Sequence, residues 1–295
     1  MSVRLPNPLR AAVWLAFLFP GRFLGDRFDF ALALVVFAVA CAVLWVKPSP
    51  WESRAPAREA AVIFAGLQFL YGISYLYALA FKGAQGGAQN LLALPHWLLL
   101  GVFVVYLIRH YDDSVRVATE AAMTAAVYGS WFLYETEGQR AYIAALTLCY
   151  LLLFSTSSSR LRYLHAAAAA AVLALSGSGL SLAASQDALS RIRLSPIFGW
   201  GPARYEIVST LNNQYLLWFA RGGALGACVI AAALGLAAYR LLASEDDLRR
   251  RAAVAAFLAC GALLLLTGPY LDGYRLFFAT AFIVAAVHQR VRGVK

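Results

Sequence analysis

Long apolar runs, separated by short segments that carry most of the charged residues, recur from one end of the chain to the other. Such runs predict transmembrane helices, because about 20 apolar residues rising about 1.5 Å each cross the hydrocarbon of a bilayer. They lie near residues 8–22, 28–46, 60–81, 91–108, 117–134, 141–156, 163–184, 215–242, 252–268 and 275–289. We therefore predict an all-α, polytopic integral membrane protein with about ten transmembrane helices, in a single domain over residues 1–295.

Composition agrees with this prediction. Of the 295 residues, 62% are hydrophobic and 14% are charged, whereas soluble domains have about 25% charged residues. The net charge of +10 would suggest nucleic acid as the partner of a soluble protein. Here the basic residues lie in short loops, where Lys and Arg set orientation and contact anionic headgroups. We therefore expect membrane lipid, and no nucleic acid, around them.

The distribution of Lys and Arg also predicts an orientation. If the predicted helices alternate from a cytoplasmic N-terminus, most of the basic residues fall on the cytoplasmic side, as the positive-inside rule requires. Both termini are then cytoplasmic. The longest polar segment, residues 185–214, becomes an outward loop, and it leads into the helix predicted to end at residue 242.

The cysteines do not indicate a metal site or a disulfide framework. All four fall within apolar runs and lack the spacing of a zinc site: Cys41, Cys149, Cys228 and Cys260. We expect them to act as small buried hydrophobic side chains. Since no Asp-x-Asp pair or histidine cluster is present, we predict neither a metal nor a cofactor.

The polar passage at residues 195–226 is the best candidate for a functional site. It contains a glycine-rich turn, an amide triplet at a helix entrance and a pair of small residues four apart: Gly199 and Gly201; Asn212, Asn213 and Gln214; Gly222 and Gly226. Glycine takes positive φ without strain, which suits a tight turn. N-capping explains one of the three amides but not all of them. Small residues four apart predict a close helix contact.

Arg221 lies about two turns inside the helix predicted to begin near Tyr215. A charge near the centre of a bilayer costs about 2.5–3.5 kcal/mol on insertion scales, so such residues usually face a water-filled cavity or an anion. Other outward arginines flank the same loop: Arg191, Arg193, Arg204 and Arg275. The alternative interpretation is that they only reach the lipid headgroups, as arginines near helix ends commonly do.

Several short motifs follow one another here: Ser159-Arg160, Pro196-Ile197-Phe198-Gly199-Trp200-Gly201, Asn212-Asn213-Gln214-Tyr215-Leu216 and Arg221-Gly222-Gly223 with Gly226. In this order they resemble the O-antigen polymerase and O-antigen ligase family of polytopic bacterial membrane proteins. Ligases of that family tend to have a histidine where Asn212 stands, and some relatives have a larger outward loop. Both departures favour the polymerase branch.

The resemblance implies a donor glycan carried on a polyprenyl pyrophosphate, such as undecaprenyl pyrophosphate, in the bacterial inner membrane. Arginine suits a diphosphate because it stays charged and binds phosphate oxygens with two donors. We predict that Arg191, Arg193, Arg204 and Arg275 bind the diphosphate. Arg221 has a catalytic role beside them, since stabilising the departing pyrophosphate lowers the barrier.

The acceptor hydroxyl needs a base, and Glu206 and Asp272 are the candidates. Salt bridges to Arg204 or Arg275 are an equally good account of these two carboxylates. The sugar is expected to contact the turn and the helix entrance through Gly199, Gly201, Asn212, Asn213, Gln214 and Tyr215. For aromatic residues near helix ends, an interfacial belt is the alternative.

These features predict a metal-independent membrane glycosyltransferase. It would polymerise an O-antigen or exopolysaccharide of the cell envelope by moving a lipid-linked glycan onto an acceptor glycan at the outer leaflet. One alternative is ligase-type transfer to a lipid or protein. Another is a non-catalytic or transport subunit that works with other polysaccharide assembly proteins. A transporter would be expected to show inverted repeats or paired broken helices at mid-membrane, and the sequence indicates neither.

Overall fold

A computed structural model of the chain describes residues 7–19, 26–46, 54–82, 91, 93–154, 160–179, 195–202, 213–243 and 247–292. Within these residues the chain is all-helical and forms no strand, in agreement with the predicted class. The helices are α1 (Pro8–Leu18), α2 (Asp26–Val46), α3 (Arg54–Phe81), α4 (His96–His110), α5 (Asp113–Tyr128), α6 (Ser130–Leu133), α7 (Glu137–Leu153), α8 (Arg160–Ser176), α9 (Gln214–Ala243), α10 (Leu248–Leu264) and α11 (Tyr274–Arg292).

A helix overlaps each predicted apolar run, but the bounds of helix and run differ at several places. The run near 117–134 is divided at Gly129 into α5 and the single turn of α6. α5 begins before the apolar run because Asp112 caps it, its Oδ1 accepting a hydrogen bond from Val115 N at 2.9 Å. In the run near 163–184 the described helix ends at Ser176 and a 3₁₀ turn follows at Gly177–Gly179, while residues 180–184 lie outside the described residues.

α11 lies at the centre of the described bundle and contacts α1, α2, α4, α5 and α7. Phe278, Phe282 and Ile283 on this helix are almost completely buried. The ring of Phe103 on α4 lies between two of them, with centroid distances of 4.2 Å to Phe278 and 5.4 Å to Phe282. Aromatic packing of this kind fixes the position of α11 and of the loop that precedes it.

A charged network ties three helices together at the end of the bundle predicted to be cytoplasmic. Glu120 of α5 accepts hydrogen bonds from Arg116 (2.9 Å), from the hydroxyl of Tyr150 on α7 (2.6 Å) and from Arg290 on α11 (3.0 and 3.1 Å). The Glu120 side chain is 27% exposed. A carboxylate that binds two guanidinium groups and a phenol in this setting stabilises the contact between the three helices.

Two helices of the described part are long and apolar enough to cross a membrane, Pro56–Phe81 and Gln214–Ala243. Only 28% and 17% of their most apolar windows are buried inside the protein. Shorter apolar helices are Pro8–Leu18, Asp29–Leu44 and His96–His110. Large side chains such as Phe69 and Leu175 are about two-thirds exposed, at 69% and 70%. Much of the apolar surface of α3, α8 and α9 is therefore not covered by the described part of the chain.

The four cysteines are free thiols. The prediction of buried cysteines was wrong for Cys41 and Cys228, which are exposed because they lie on helix faces that the described residues do not cover. Cys149 on α7 and Cys260 on α10 meet where these helices contact each other, with 3.2 Å between their Sγ atoms.

Candidate functional site

The glycine-rich turn packs into a break in the middle of α9. At Gly223 the backbone leaves the helical region, with φ 62° and ψ −165°. Four backbone hydrogen bonds bridge the break: Trp200 N to Ala220 O (2.9 Å), Gly201 N to Arg221 O (2.8 Å), Ala224 N to Pro196 O (2.8 Å) and Leu225 N to Ile197 O (3.3 Å). The turn therefore replaces the helical hydrogen bonds that the break removes, as buried backbone requires.

The two glycines of the turn are present for steric reasons. Their φ angles are 70° at Gly199 and 58° at Gly201, the positive values expected for a tight turn. A Cβ on Gly199 would clash with the backbone of Arg221 and Gly223, and one on Gly201 would lie 2.7 Å from the backbone nitrogen of Tyr75 on α3. The hydroxyl of Ser195 closes the turn by donating to Gly199 O at 2.7 Å. The turn is thus held between α3 and α9.

Arg221 ends the first half of α9 and forms an ion pair with Asp272, which lies in the loop between α10 and α11. Both guanidinium Nη atoms donate to the carboxylate: Nη1 to Oδ1, and Nη2 to Oδ2 at 3.1 Å. The Arg221 side chain is 10% exposed and that of Asp272 is 22% exposed. The salt bridge anticipated for Asp272 was to Arg275, and that interpretation was wrong, since its partner is Arg221.

Gln214 and Asn213 hold the entrance of α9. The side-chain Oε1 of Gln214 accepts from Leu271 N at 2.8 Å, and its backbone N donates to Leu265 O at 3.0 Å. Its side-chain Nε2 is buried and has no hydrogen-bond partner within the described part of the chain. Asn213 Oδ1 accepts from Tyr215 N at 2.9 Å, which is an N-cap. Gln214 thereby fixes the loop that carries Asp272.

The hydroxyl of Tyr215 donates to Ala262 O on α10 at 2.9 Å. In the loop between α10 and α11, Tyr270 stacks on Tyr142 of α7 with 4.5 Å between the ring centroids. Burial raises the pKa of Tyr270, against a smaller opposing effect of its hydrogen bond with Thr267. Its hydroxyl is therefore protonated at neutral pH. Tyr215 thus ties α9 to α10, and the stacked pair ties the loop before α11 to α7.

A small apolar crevice, with a cavity volume of about 10 Å³, lies between α3 and α9 beside the Arg221–Asp272 ion pair. Its lining residues are Leu67, Leu70, Tyr71, Trp97, Trp218, Arg221, Gly222, Gly226 and Ile230, among which Arg221 is the one charged residue. A Cβ on Gly226 would meet no atom within 4 Å. The close helix contact predicted for Gly222 and Gly226 was wrong, because both glycines line this crevice instead.

His96 belongs to the same neighbourhood, although its sequence position inside an apolar run gave no reason to include it. It is 7% exposed, and its ring lies 5.1 Å from that of Tyr274 and 5.3 Å from that of Trp97. Both Asp272 and Arg221 are close enough to interact with it electrostatically. No local spacing rule connects His96 with residues so far along the chain.

Arg275 has a different set of partners from Arg221. Its Nη1 donates to the carbonyl oxygens of Phe19 and of Leu133, the latter at 3.0 Å. The guanidinium carbon lies 4.8 Å from the centroid of the Tyr134 ring, and the residue is 6% exposed. Arg275 therefore binds backbone carbonyls that follow the last turns of α1 and α6.

Five residues predicted for the site lie outside the described residues: Arg191, Arg193, Arg204, Glu206 and Asn212. The described part brings together Arg221, Asp272, Gln214 and the turn that contains Gly199 and Gly201. It places Arg275 on other partners. Among the described residues, no group of three or more His, Cys, Asp or Glu side chains is arranged to hold a metal ion.

The sequence matches no protein-family model and no curated protein. Function is therefore inferred from the chemistry of the site and its surroundings.

Proposed function

We propose that the chain is a polytopic membrane protein of about ten spans, with the turn at residues 195–202 on the outward side. The low burial of the apolar windows of α3 and α9 supports this, because a core helix of a soluble protein is largely covered by its own chain. The packed break in α9 agrees with it as well. Non-helical backbone at membrane depth is tolerated where protein buries it and satisfies its polar groups.

Within that membrane we propose a metal-independent glycan polymerase. It transfers a glycan from a polyprenyl pyrophosphate to an acceptor glycan at the outer leaflet of the bacterial inner membrane. The observation that carries this proposal is a nearly buried guanidinium, Arg221, at the edge of an apolar crevice and beside a carboxylate, Asp272. A donor of this class brings the matching groups, namely a diphosphate and an apolar chain.

The properties of Arg221 suit a diphosphate leaving group. Its guanidinium remains charged in surroundings of low polarity and presents paired donors to phosphate oxygens. Since the side chain is only 10% exposed, water screens its charge weakly, and its attraction for developing negative charge is stronger than in bulk water. Stabilisation of this kind supplies a large part of the barrier reduction in group transfer.

Asp272 is the base of the proposed reaction. The crevice beside Arg221 has a cavity volume of only about 10 Å³, far below the roughly 300–1,000 Å³ of ligand pockets, so the polyprenyl chain lies along the exposed apolar surface of α3 and α9 and not inside the crevice. The glycan lies on the outward side, near Gln214 and Tyr215.

Arg191, Arg193 and Arg204, which lie outside the described residues, belong to the same proposal as ligands of the diphosphate. Arg275 does not, because it binds the backbone carbonyls of Phe19 and Leu133.

The test is to restore variants to a bacterial strain from which the native gene has been deleted and to measure the length of its surface polysaccharide on gels. Arg221→Ala is expected to lower polymer synthesis about 100-fold or more, and Arg221→Lys to restore only part of it because lysine lacks the paired donors. Arg240→Ala is the matched control. Arg240 pairs with Glu59 and its side chain is 44% exposed.

Unchanged polymer ladders in Arg221→Ala, with normal protein levels, would contradict the proposed function. The ligase alternative differs only in the acceptor, so a shift from long chains to single glycan units on lipid or protein would favour it. The transport alternative gains some support from the broken helix α9, since discontinuous helices form substrate sites in transporters. An assay in reconstituted vesicles distinguishes transport from polymerisation, because transport moves a lipid-linked glycan across the bilayer without changing the length of the glycan.

A further inference from the structure

We infer that Asp272 occupies the position on Arg221 that the diphosphate of the donor takes, so that donor binding releases the carboxylate next to the acceptor. This inference rests on the proposed function, and it adds an order of events. The carboxylate is held by Arg221 before the donor arrives and becomes available as a base only when the leaving group is in place.

The geometry of the ion pair is the first support. Both Nη atoms of Arg221 point to Asp272, one to each carboxylate oxygen, with Nη2 to Oδ2 at 3.1 Å. A phosphate group offers the same guanidinium fork a similar pair of oxygens. One set of donors therefore serves either anion, and the carboxylate and the diphosphate compete for it.

The two partners differ in how firmly they are held. Arg221 belongs to α9, and its carbonyl accepts a hydrogen bond from Gly201 N at 2.8 Å. Asp272 belongs to the loop between α10 and α11, and its side chain is 22% exposed against 10% for Arg221. Gln214 holds the loop backbone at Leu271, so it is the more exposed Asp272 side chain that turns away when an anion enters.

Charge balance gives the reason for release. The ion pair is neutral, so a diphosphate added to Arg221 leaves an excess of negative charge near Asp272. The other titratable side chains that interact with this neighbourhood are His96 on α4, Tyr71 on α3, Tyr274 on α11 and Asp29 on α2. Proton uptake by Asp272 relieves the excess charge, and the hydroxyl of the acceptor is the source of that proton.

The step balances without a co-reactant. The acceptor oxygen forms a bond to the anomeric carbon of the donor glycan while the bond from that carbon to the phosphate oxygen breaks. The electron pair of the broken bond stays on the departing diphosphate, which Arg221 stabilises. The proton of the acceptor hydroxyl passes to an Oδ atom of Asp272.

The experiment measures binding of inorganic pyrophosphate to the purified full-length protein in lipid nanodiscs. Asp272→Asn keeps the shape of the side chain and removes the competing charge, so it is expected to bind pyrophosphate about tenfold more tightly than the wild type while losing polymer synthesis. Arg221→Ala is expected to lose pyrophosphate binding. Glu59→Gln is the matched control, because it removes a carboxylate from the other ion pair, with Arg240, and should leave the affinity unchanged.

Equal or weaker pyrophosphate binding by Asp272→Asn would overturn the inference, and the proposed function would still stand if Arg221→Ala abolished polymer synthesis. No pyrophosphate binding by either the wild type or Asp272→Asn would overturn both. A second measurement does not depend on the folding of a variant. Pyrophosphate added to the wild type should change the infrared carboxylate bands through loss of the ion pair, and an unchanged spectrum at saturating pyrophosphate would also count against the inference.

Discussion

Arg221 and Asp272 are separated by 51 residues of sequence and form an ion pair with two hydrogen bonds between the broken helix α9 and the loop before α11. Gln214, about two turns earlier on α9, fixes the same loop through Leu271 N. The two contacts hold the carboxylate beside the apolar crevice, which is the arrangement on which the proposed chemistry depends.

The first prediction concerns the stability of this ion pair. Asp272→Ala leaves a nearly buried guanidinium without its carboxylate and is expected to lower the free energy of unfolding by about 3–5 kcal/mol. The double variant Arg221→Met with Asp272→Leu removes both charges and is expected to recover most of that loss while remaining inactive. Chemical unfolding in mild detergent measures both. Equal stability of Asp272→Ala and the wild type would show that the pair makes no net contribution.

The second prediction concerns the break in α9. Gly199→Ala places a Cβ against the backbone of Arg221 and Gly223 at a positive φ, so it is expected to lower the thermal unfolding temperature and polymer synthesis together. The same change at Gly235 is the control, because a Cβ there meets no atom within 4 Å. It is expected to be neutral or to stabilise α9 by about 0.5–1 kcal/mol. A wild-type melting curve for Gly199→Ala would refute the steric argument.

The third prediction compares two glutamates in ion pairs. Glu120→Gln removes the charge that binds Arg116, Arg290 and the hydroxyl of Tyr150, and is expected to cost about 2–3 kcal/mol of stability. Glu59→Gln breaks a pair with Arg240 in which both side chains are over 40% exposed, and is expected to cost less than about 1 kcal/mol. Chemical unfolding of the two variants, measured side by side, tests the difference. A larger loss of unfolding free energy for Glu59→Gln than for Glu120→Gln would contradict the prediction.

The fourth prediction concerns pH, at the turn between α4 and α5. Burial acts to raise the pKa of Asp112, but hydrogen bonds from Ser114, Asn7 and the N–H of Val115 outweigh it and lower the pKa. A lowered pKa in the folded state means that this aspartate stabilises the protein at neutral pH, and that the contribution is lost as pH falls below about 3.9, through the folded-state pKa.

Asp112→Asn is expected to destabilise the protein at pH 7 and to flatten the acid side of the stability curve. Thermal melts across the acid range measure this. Glu135→Gln is the control, since Glu135 is an exposed carboxylate away from the cap of α5. If the acid limb of Asp112→Asn matched that of the wild type, the stabilising role of this carboxylate would be disproved.

Helix positions were predictable because a run of apolar residues is a local feature of the sequence. A run of apolar residues is compatible with few structures other than a helix, and the described helices overlap the predicted runs. The positive φ at Gly199 and Gly201 was predictable for a similar reason, since paired glycines in a polar segment indicate a tight turn. Candidate residues at the site, such as Arg221 and Asp272, could be named from their types and positions near helix ends.

Their pairing was not predictable, because no local rule states which distant side chain meets which. Asp272 was assigned to the adjacent Arg275 as its ordinary ion-pair partner, but Arg275 turns to carbonyls near α1 and α6. The break at Gly223 was also missed. The helical hydrogen bonds lost there are replaced by hydrogen bonds to a turn more than twenty residues earlier in the chain, which no local pattern indicates. Gly222 and Gly226 were assigned to a helix contact and instead line a crevice.

By itself the sequence determined that the chain is helical, where its apolar helices lie and which segment carries the polar chemistry, because these properties follow from short-range hydrophobicity and backbone preference. Only the tertiary structure decided that α9 is broken, that the glycine-rich turn fills the break and that Arg221, Asp272 and His96 share one neighbourhood. Those outcomes depend on how helices far apart in the chain pack, and on the need of each buried polar group for a partner.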